Sequence, residues 1–179
     1  SSIVSYNCSG NNIFINGLEI YKSDWKIPYA CEQKLFEFLI GSAYPNKTGS
    51  HIEHRVGLCN FSVVGRNANL AERADYFEWD NYTQERKNIA RKLNLEFPEI
   101  HASIAGETGI DIYKSGSGKE QLIHLFNDEI YFFGDRMDVD GNDYSLAQAI
   151  VHNNRGKVYP VSSWENTWEI LIDLKRELT

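Results

Sequence analysis

The run YFFGDRMDVDGNDYS, residues 131–145, decides how this chain is read. Glu129 to Phe133 is a largely apolar run that reads as a strand, and it ends in Gly134-Asp135. A polar loop then leads to Asn142-Asp143 and a helix. Just upstream, KSGSGK (residues 114–119) reads as a flexible loop, and Glu120 to Phe126 begins a helix. Strand, loop, helix and strand in that order are typical of a parallel α/β sheet. Val158 to Val161 supplies one more short strand, and Trp164, Trp168, Leu171 and Leu174 mark the apolar face of a terminal helix.

The chain before Lys114 has another character. Ile3-Val4 reads as strand, Ser9 to Asn12 as turn, and Ile13 to Ile15 as strand, after which Asn16-Gly17 gives a strong hairpin signal into Leu18 to Tyr21. Pro28 suits the first turn of a helix in which Cys31, Leu35, Phe38 and Leu39 recur at helical spacing until Gly41. HIEHRVGLCNFSVV (residues 51–64) reads as two short strands. Asn69 caps a helix from Leu70, and a second helical stretch runs from about Thr83 to Leu93. Ile100 to Tyr113 reads as a hairpin broken at Gly106 to Gly109, so this sheet is expected to be antiparallel. Domain boundaries are placed near residues 17 and 114.

With 42% hydrophobic, 24% charged and 13% aromatic residues among 179, the composition is that of a globular protein able to bury a core. No apolar run approaches the roughly 20 residues a membrane helix needs. A net charge of −7 and a pI near 5.2 argue against a nucleic-acid surface, which needs clustered Lys and Arg. Cys8, Cys31 and Cys59 lie far apart with no CxxC pair, which suggests neither a disulfide framework nor a zinc site and favours a reducing, cytoplasmic location. Four Asn-x-Ser/Thr triplets, at Asn7, Asn46, Asn60 and Asn81, are of a kind frequent by chance. Met137 is the only methionine, so Ser1 is either a processed end or an interior residue of a longer frame.

Two constellations can carry chemistry. Mg²⁺ takes hard oxygen ligands and is usually held by one or two carboxylates plus a substrate phosphate, which Asp135 and Asp143 could supply. Taken without its flanks, the loop is equally a solvated acidic turn or a calcium-like loop, since Asp138, Asp140 and Asn142 alternate. Upstream, Arg55, Arg66 and Arg73 fall in and just after a strand pair. A guanidinium offers a planar fork of donors matched to phosphate, so converging arginines would fix one. Each taken singly is an ordinary surface residue.

The tetrapeptide Asp138-Val139-Asp140-Gly141 resembles the Asp-x-Asp-Gly nucleophile signature of the haloacid-dehalogenase (HAD) phosphotransferases. Such a nucleophile sits directly at a strand end, however, and here Asp135 holds that place, so the likeness is read as chance. A longer resemblance is more specific. Glu53-His54-Arg55-Val56-Gly57-Leu58-Cys59-Asn60-Phe61-Ser62, then Gly65-Arg66 and Glu72-Arg73, is similar to the cap domain of eukaryotic-type phosphomannomutases. It continues in order through Ile110-Asp111-Ile112, Gly118-Lys119, Phe132-Phe133-Gly134-Asp135 and Gly141-Asn142-Asp143.

That resemblance implies an α/β fold: an incomplete HAD-like parallel-sheet core, residues 1–17 and 115–179, with an inserted α/β cap, residues 18–114, containing an antiparallel sheet. It implies that Arg55, Arg66 and Arg73 bind substrate phosphate, that Asp111 contacts sugar hydroxyls, that Lys119 offsets phosphate charge, and that Asp135 and Asp143 hold Mg²⁺. The reaction implied interconverts mannose 6-phosphate and mannose 1-phosphate through an aspartyl-phosphate. The partners implied are a phosphorylated hexose, with a hexose 1,6-bisphosphate as activator, and a second copy of the chain paired through the cap. Three departures stand out. Gly109 occupies a place where the family usually has a small hydroxyl residue. Ala147 and Ala149 stand where a secondary cation site is expected. No strand-end Asp-x-Asp pair is present, so this chain alone is expected to be inactive unless a missing N-terminal segment completes it. The alternatives are a non-catalytic sugar-phosphate-binding or dimerising module and a HAD sugar phosphatase; the arginines argue against the second, which has less need to hold a distal phosphate.

Overall fold

The computed structural model describes residues 3–139 and 141–177 and divides into two compact units, Ser1–Gly118 and Lys119–Thr179. The first unit opens with strands β1 (Val4–Asn7), β2 (Asn12–Ile15) and β3 (Leu18–Lys22), paired antiparallel in that order. Asn16 and Gly17 both take positive φ, 49° and 83°, the two-residue turn that matches strand twist and that Asn-Gly adopts at least cost. The expected boundary near residue 17 therefore falls inside a hairpin whose strands share one sheet.

Helix α1 (Tyr29–Gly41) follows, then β4 (Ile52–Arg55), β5 (Leu58–Phe61), α2 (Leu70–Thr83), α3 (Glu85–Glu96), β6 (Ile100–Ala105) and β7 (Gly109–Lys114). The four strands form an antiparallel sheet in the order β4-β5-β7-β6. Alternation gives that sheet two chemically different faces. Cys59, Phe61, Ile110 and Ile112 turn to the helices and join Cys31 and Leu35 of α1, Tyr76 of α2, and Ile89, Ala90 and Leu93 of α3 in one core. Large side chains such as Phe61, Leu35 and Leu93 are fully buried, and each contributes about 1.5–3 kcal/mol.

Local chemistry sets the α2–α3 corner. Asn69 Oδ1 accepts from the Glu72 amide at 3.0 Å while Glu72 Oε2 accepts from the Asn69 amide at 2.8 Å, a reciprocal capping box. At the other end Gln84, with φ 55°, closes α2 and launches α3 directly. Behind it, Arg86 Nε meets Asp80 Oδ2 at 2.8 Å and Arg86 Nη1 donates to Gly106 O at 3.1 Å, tying the corner to the β6–β7 turn.

The second unit holds β8 (Ile130–Gly134), α4 (Tyr144–His152), β9 (Gly156–Pro160) and α5 (Trp164–Glu177). β8 and β9 pair parallel, from Ile130 opposite Gly156 to Gly134 opposite Pro160, with α4 as the crossover. Ile123, Leu146 and Ile150 form its core, with Phe132 and Val158 against them. The helix expected from Glu120 is a 3₁₀ segment, Lys119–Leu125. Seven residues give too few hydrogen bonds to offset α-helix nucleation, and short 3₁₀ pieces serve as connectors. Among the described residues no helix is long and apolar enough to cross a membrane.

Candidate functional site

The face of the four-stranded sheet turned away from the helices is polar, and register explains why. Glu53 pairs with Asn60, Asn60 with Asp111, and Asp111 with Ser103, so one residue from each strand lines up in a row across the sheet. Directly opposed residues put their side chains on the same face. Asn60 Nδ2 donates to Asp111 Oδ1 at 2.6 Å. Burial pushes the Asp111 carboxyl above the usual carboxylate range, opposed first by that hydrogen bond and then by Arg55 and Arg66.

The arginines are gathered by Glu53. Arg55 Nη2 at 2.9 Å and Arg66 Nε at 2.8 Å both reach the same carboxylate oxygen, Oε2 of Glu53. Arg55, first among the causes, holds the Glu53 carboxyl below its ordinary value. Arg73 does something else: its Nε donates to Ala68 O at 3.0 Å and its Nη2 to Arg66 O at 3.1 Å, bracing the backbone that carries Arg66. Thus Arg55 and Arg66 converge, while Arg73 supports one of them from beneath. Gly109 begins β7 against Asn60: a Cβ there would lie 2.8 Å from Asn60 Nδ2.

Residue type alone gives Glu53 and Asn60 no role, although both lie within residues 53–62. The signal available was alternation, because Glu53 and Arg55 on β4, and Asn60 and Ser62 around β5, occupy every second position.

In the second unit a polar cleft of about 440 Å³ is lined by Lys119, Asp135, Asn142, Asp143, Ser162 and Ser163, among others. Asp143 is buried, and its Oδ1 meets Lys119 Nζ at 2.5 Å. Gly134 at the strand end leaves room for the Asp143 carboxylate, since a Cβ there would lie 2.7 Å from Asp143 Oδ2. Asp135 is exposed at the mouth of β8, and among the described residues its carboxylate has no ion pair. Ser163 precedes α5 and accepts from the Asn166 amide at 3.3 Å, so the first turn of α5 opens onto the same cleft.

Asp138 is exposed and 3.8 Å from Arg136 Nε, whereas Asp140 lies outside the described residues. Ala147 is buried on α4 and offers no ligand. Among the described residues no group of three or more His, Cys, Asp or Glu gathers as a metal cage. The donor set fits Mg²⁺ of the kind held by one or two carboxylates, water and substrate phosphate. Asp135 and Asp143 are the carboxylates available, with the amide of Asn142 beside them in the cleft.

The sequence profile of the family described as eukaryotic phosphomannomutase matches residues 18–176. A phosphomannomutase of Saccharomyces cerevisiae is 35% identical over 136 residues, 73% of this chain and 52% of that protein. Phosphomannomutase 2 of Dictyostelium discoideum is 34% identical over 135 residues, 72% of this chain and 53% of that protein. The chain therefore spans about half the length of the curated relatives it matches. Among solved structures, the chain is similar to a trehalose-6-phosphate phosphatase of Aspergillus fumigatus over 87% of this chain and 58% of that one, at 15% identity and a TM-score of 0.44.

Proposed function

Because this chain belongs to the eukaryotic phosphomannomutase family, we propose that it carries the sugar-phosphate-binding portion of an enzyme that interconverts mannose 6-phosphate and mannose 1-phosphate. One observation carries the reading: Arg55 and Arg66 converge on one oxygen of Glu53, on the same polar sheet face as Asp111. A phosphate, bearing close to two negative charges and three acceptor oxygens, competes with Glu53 for both guanidinium forks. Asp111 then accepts from sugar hydroxyls beside it. Arg73 contributes by holding the backbone of Arg66.

In the second unit Lys119 would offset the charge of a transferring phosphoryl group, and Asp135 and Asp143 would hold Mg²⁺, which when bound neutralises phosphoryl oxygens. A hexose 1,6-bisphosphate would serve as the activator that membership of this family implies. Phosphoryl transfer of this kind also needs an aspartyl nucleophile; Asp135, at the end of β8, and Asp143, paired with Lys119, are the carboxylates assigned here to Mg²⁺, and among the described residues no further Asp lines the cleft. A pure sample of this chain is therefore expected to bind and not to turn over.

Isothermal titration with mannose 1-phosphate tests the reading. Saturable binding that falls at least about tenfold in Arg66→Ala is expected, as for loss of a charge-assisted contact. Absence of saturable binding by the unaltered chain would reject it.

A further inference from the structure

Asn60 is 4% exposed, and only one end of its amide is used. Nδ2 donates to Asp111 Oδ1 at 2.6 Å, while Oδ1 has no hydrogen-bond partner among the described residues. A buried side-chain amide normally satisfies both ends, so a site that leaves one end orphaned gives up stability to keep the other in place. The surroundings keep it there. A Cβ at residue 109 would lie 2.8 Å from Asn60 Nδ2 and 3.2 Å from Asn60 Oδ1, so the amide rests directly against a backbone that has no side chain. That backbone is itself held from the other side, where the buried Arg86 donates to Gly109 O at 3.4 Å.

We infer that Asn60 is a positioning residue, an amide clamp that fixes the carboxylate of Asp111 on the polar sheet face, its amide resting against Gly109. The clamp acts in two ways. It restricts the carboxylate to one orientation, with Oδ1 turned into the strand pair and Oδ2 left for a ligand. It also favours the charged form, because an N–H directed at a carboxylate stabilises the anion that burial disfavours. The charged groups facing Asp111 are Glu53 and Arg55 on β4 and Arg66 beyond β5; β5 and β6 contribute Asn60 and Ser103 to the row, neither of which titrates in this range.

The part of this inference that concerns ligand binding rests on the sugar-phosphate reading above; the clamp itself does not. Carboxyl ¹³C NMR on the full chain, with Asp111 assigned through Asp111→Asn, reads the clamp directly. Removing the amide in Asn60→Ala, or displacing it in Gly109→Ala, is expected to move the Asp111 titration midpoint upward. Asn60→Ala is also expected to weaken mannose 1-phosphate about tenfold at neutral pH, the usual scale for a hydrogen bond to a charged group. The acid limb of its binding curve should rise with the midpoint, which a merely structural defect would not produce. If Asn60→Ala does not fold, Gly109→Ala decides the matter. A midpoint that stays or falls overturns the clamp, even if mannose 1-phosphate binds normally. A midpoint that rises in a chain that never binds mannose 1-phosphate supports the clamp and rejects the sugar-phosphate reading.

Discussion

Arg86→Leu is the most informative test of how the first unit is built. The guanidinium and the Asp80 carboxylate are 5% and 6% exposed, and they meet at 2.8 Å. Asp80 Oδ1 also accepts from the Arg86 backbone amide at 2.7 Å, and Arg86 Nη1 donates to Gly106 O at 3.1 Å. Leucine fills much of the volume but leaves a buried carboxylate facing no cation and a carbonyl with one donor fewer. Breaking a buried pair from one side costs about 3–5 kcal/mol, chiefly because the remaining charge is stranded. For a unit of this size that corresponds to roughly 10–20 °C in Tm. Urea denaturation and thermal melting of the unaltered chain, Arg86→Leu, and Asp80→Leu combined with Arg86→Leu would measure it. The double variant should recover a large part of the loss, since neither charge is then stranded. A loss below about 1 kcal/mol in the single variant, the value of an exposed pair, would refute the reasoning.

Three further outcomes are expected. Glu53→Gln removes the anion that occupies Arg55 and Arg66, so inorganic phosphate should bind a few-fold more tightly by titration calorimetry. The same substitution should remove a small stabilisation that is present above the unfolded-state value of Glu53 and lost as pH falls through its lowered folded-state value, seen as a flatter acid limb in urea melts. Burial pushes the thiol of Cys31 up to about 11 and that of Cys59 up to about 12. Iodoacetamide at pH 8 should therefore label the half-buried Cys8 in the folded chain, and Cys31 and Cys59 only after denaturation, as read by mass spectrometry.

Features whose causes lie within a few residues were legible before the structure. Asn16-Gly17 specifies its turn through backbone preference alone, and Asn69 with Glu72 specifies the start of α2 through hydrogen bonds three residues apart. Alternation along residues 52–61 and the apolar run before Gly134 gave the strands and the mixture of antiparallel and parallel pairing. Arg55, Arg66, Asp135 and Asp143 stood out by residue type and order, and Asp111 and Lys119 through the resemblance to the family. The 3₁₀ segment at Lys119–Leu125 did not, because an apolar spacing cannot report whether a segment is long enough to sustain an α-helix. The likeness of Asp138 to a nucleophile had a similar weakness: a short motif says nothing of its distance from the strand end, where Asp135 stands.

By itself, then, the amino-acid sequence determined most of the secondary structure, the class of fold and the kinds of side chain available for binding a phosphorylated ligand. Tertiary structure alone decided which of them meet. Asn60 and Asp111 are 51 positions apart and touch because β5 and β7 pair in one register; a slip of one residue between the strands would put the two on opposite faces of the sheet. Glu53 became the anchor for two arginines, and Arg73 a brace instead of a third converging cation, because the loop after β5 returns Arg66 to the end of β4. Local preference reaches only a few residues along the chain, whereas a site is made by strand register and packing, which bring distant residues within hydrogen-bond reach.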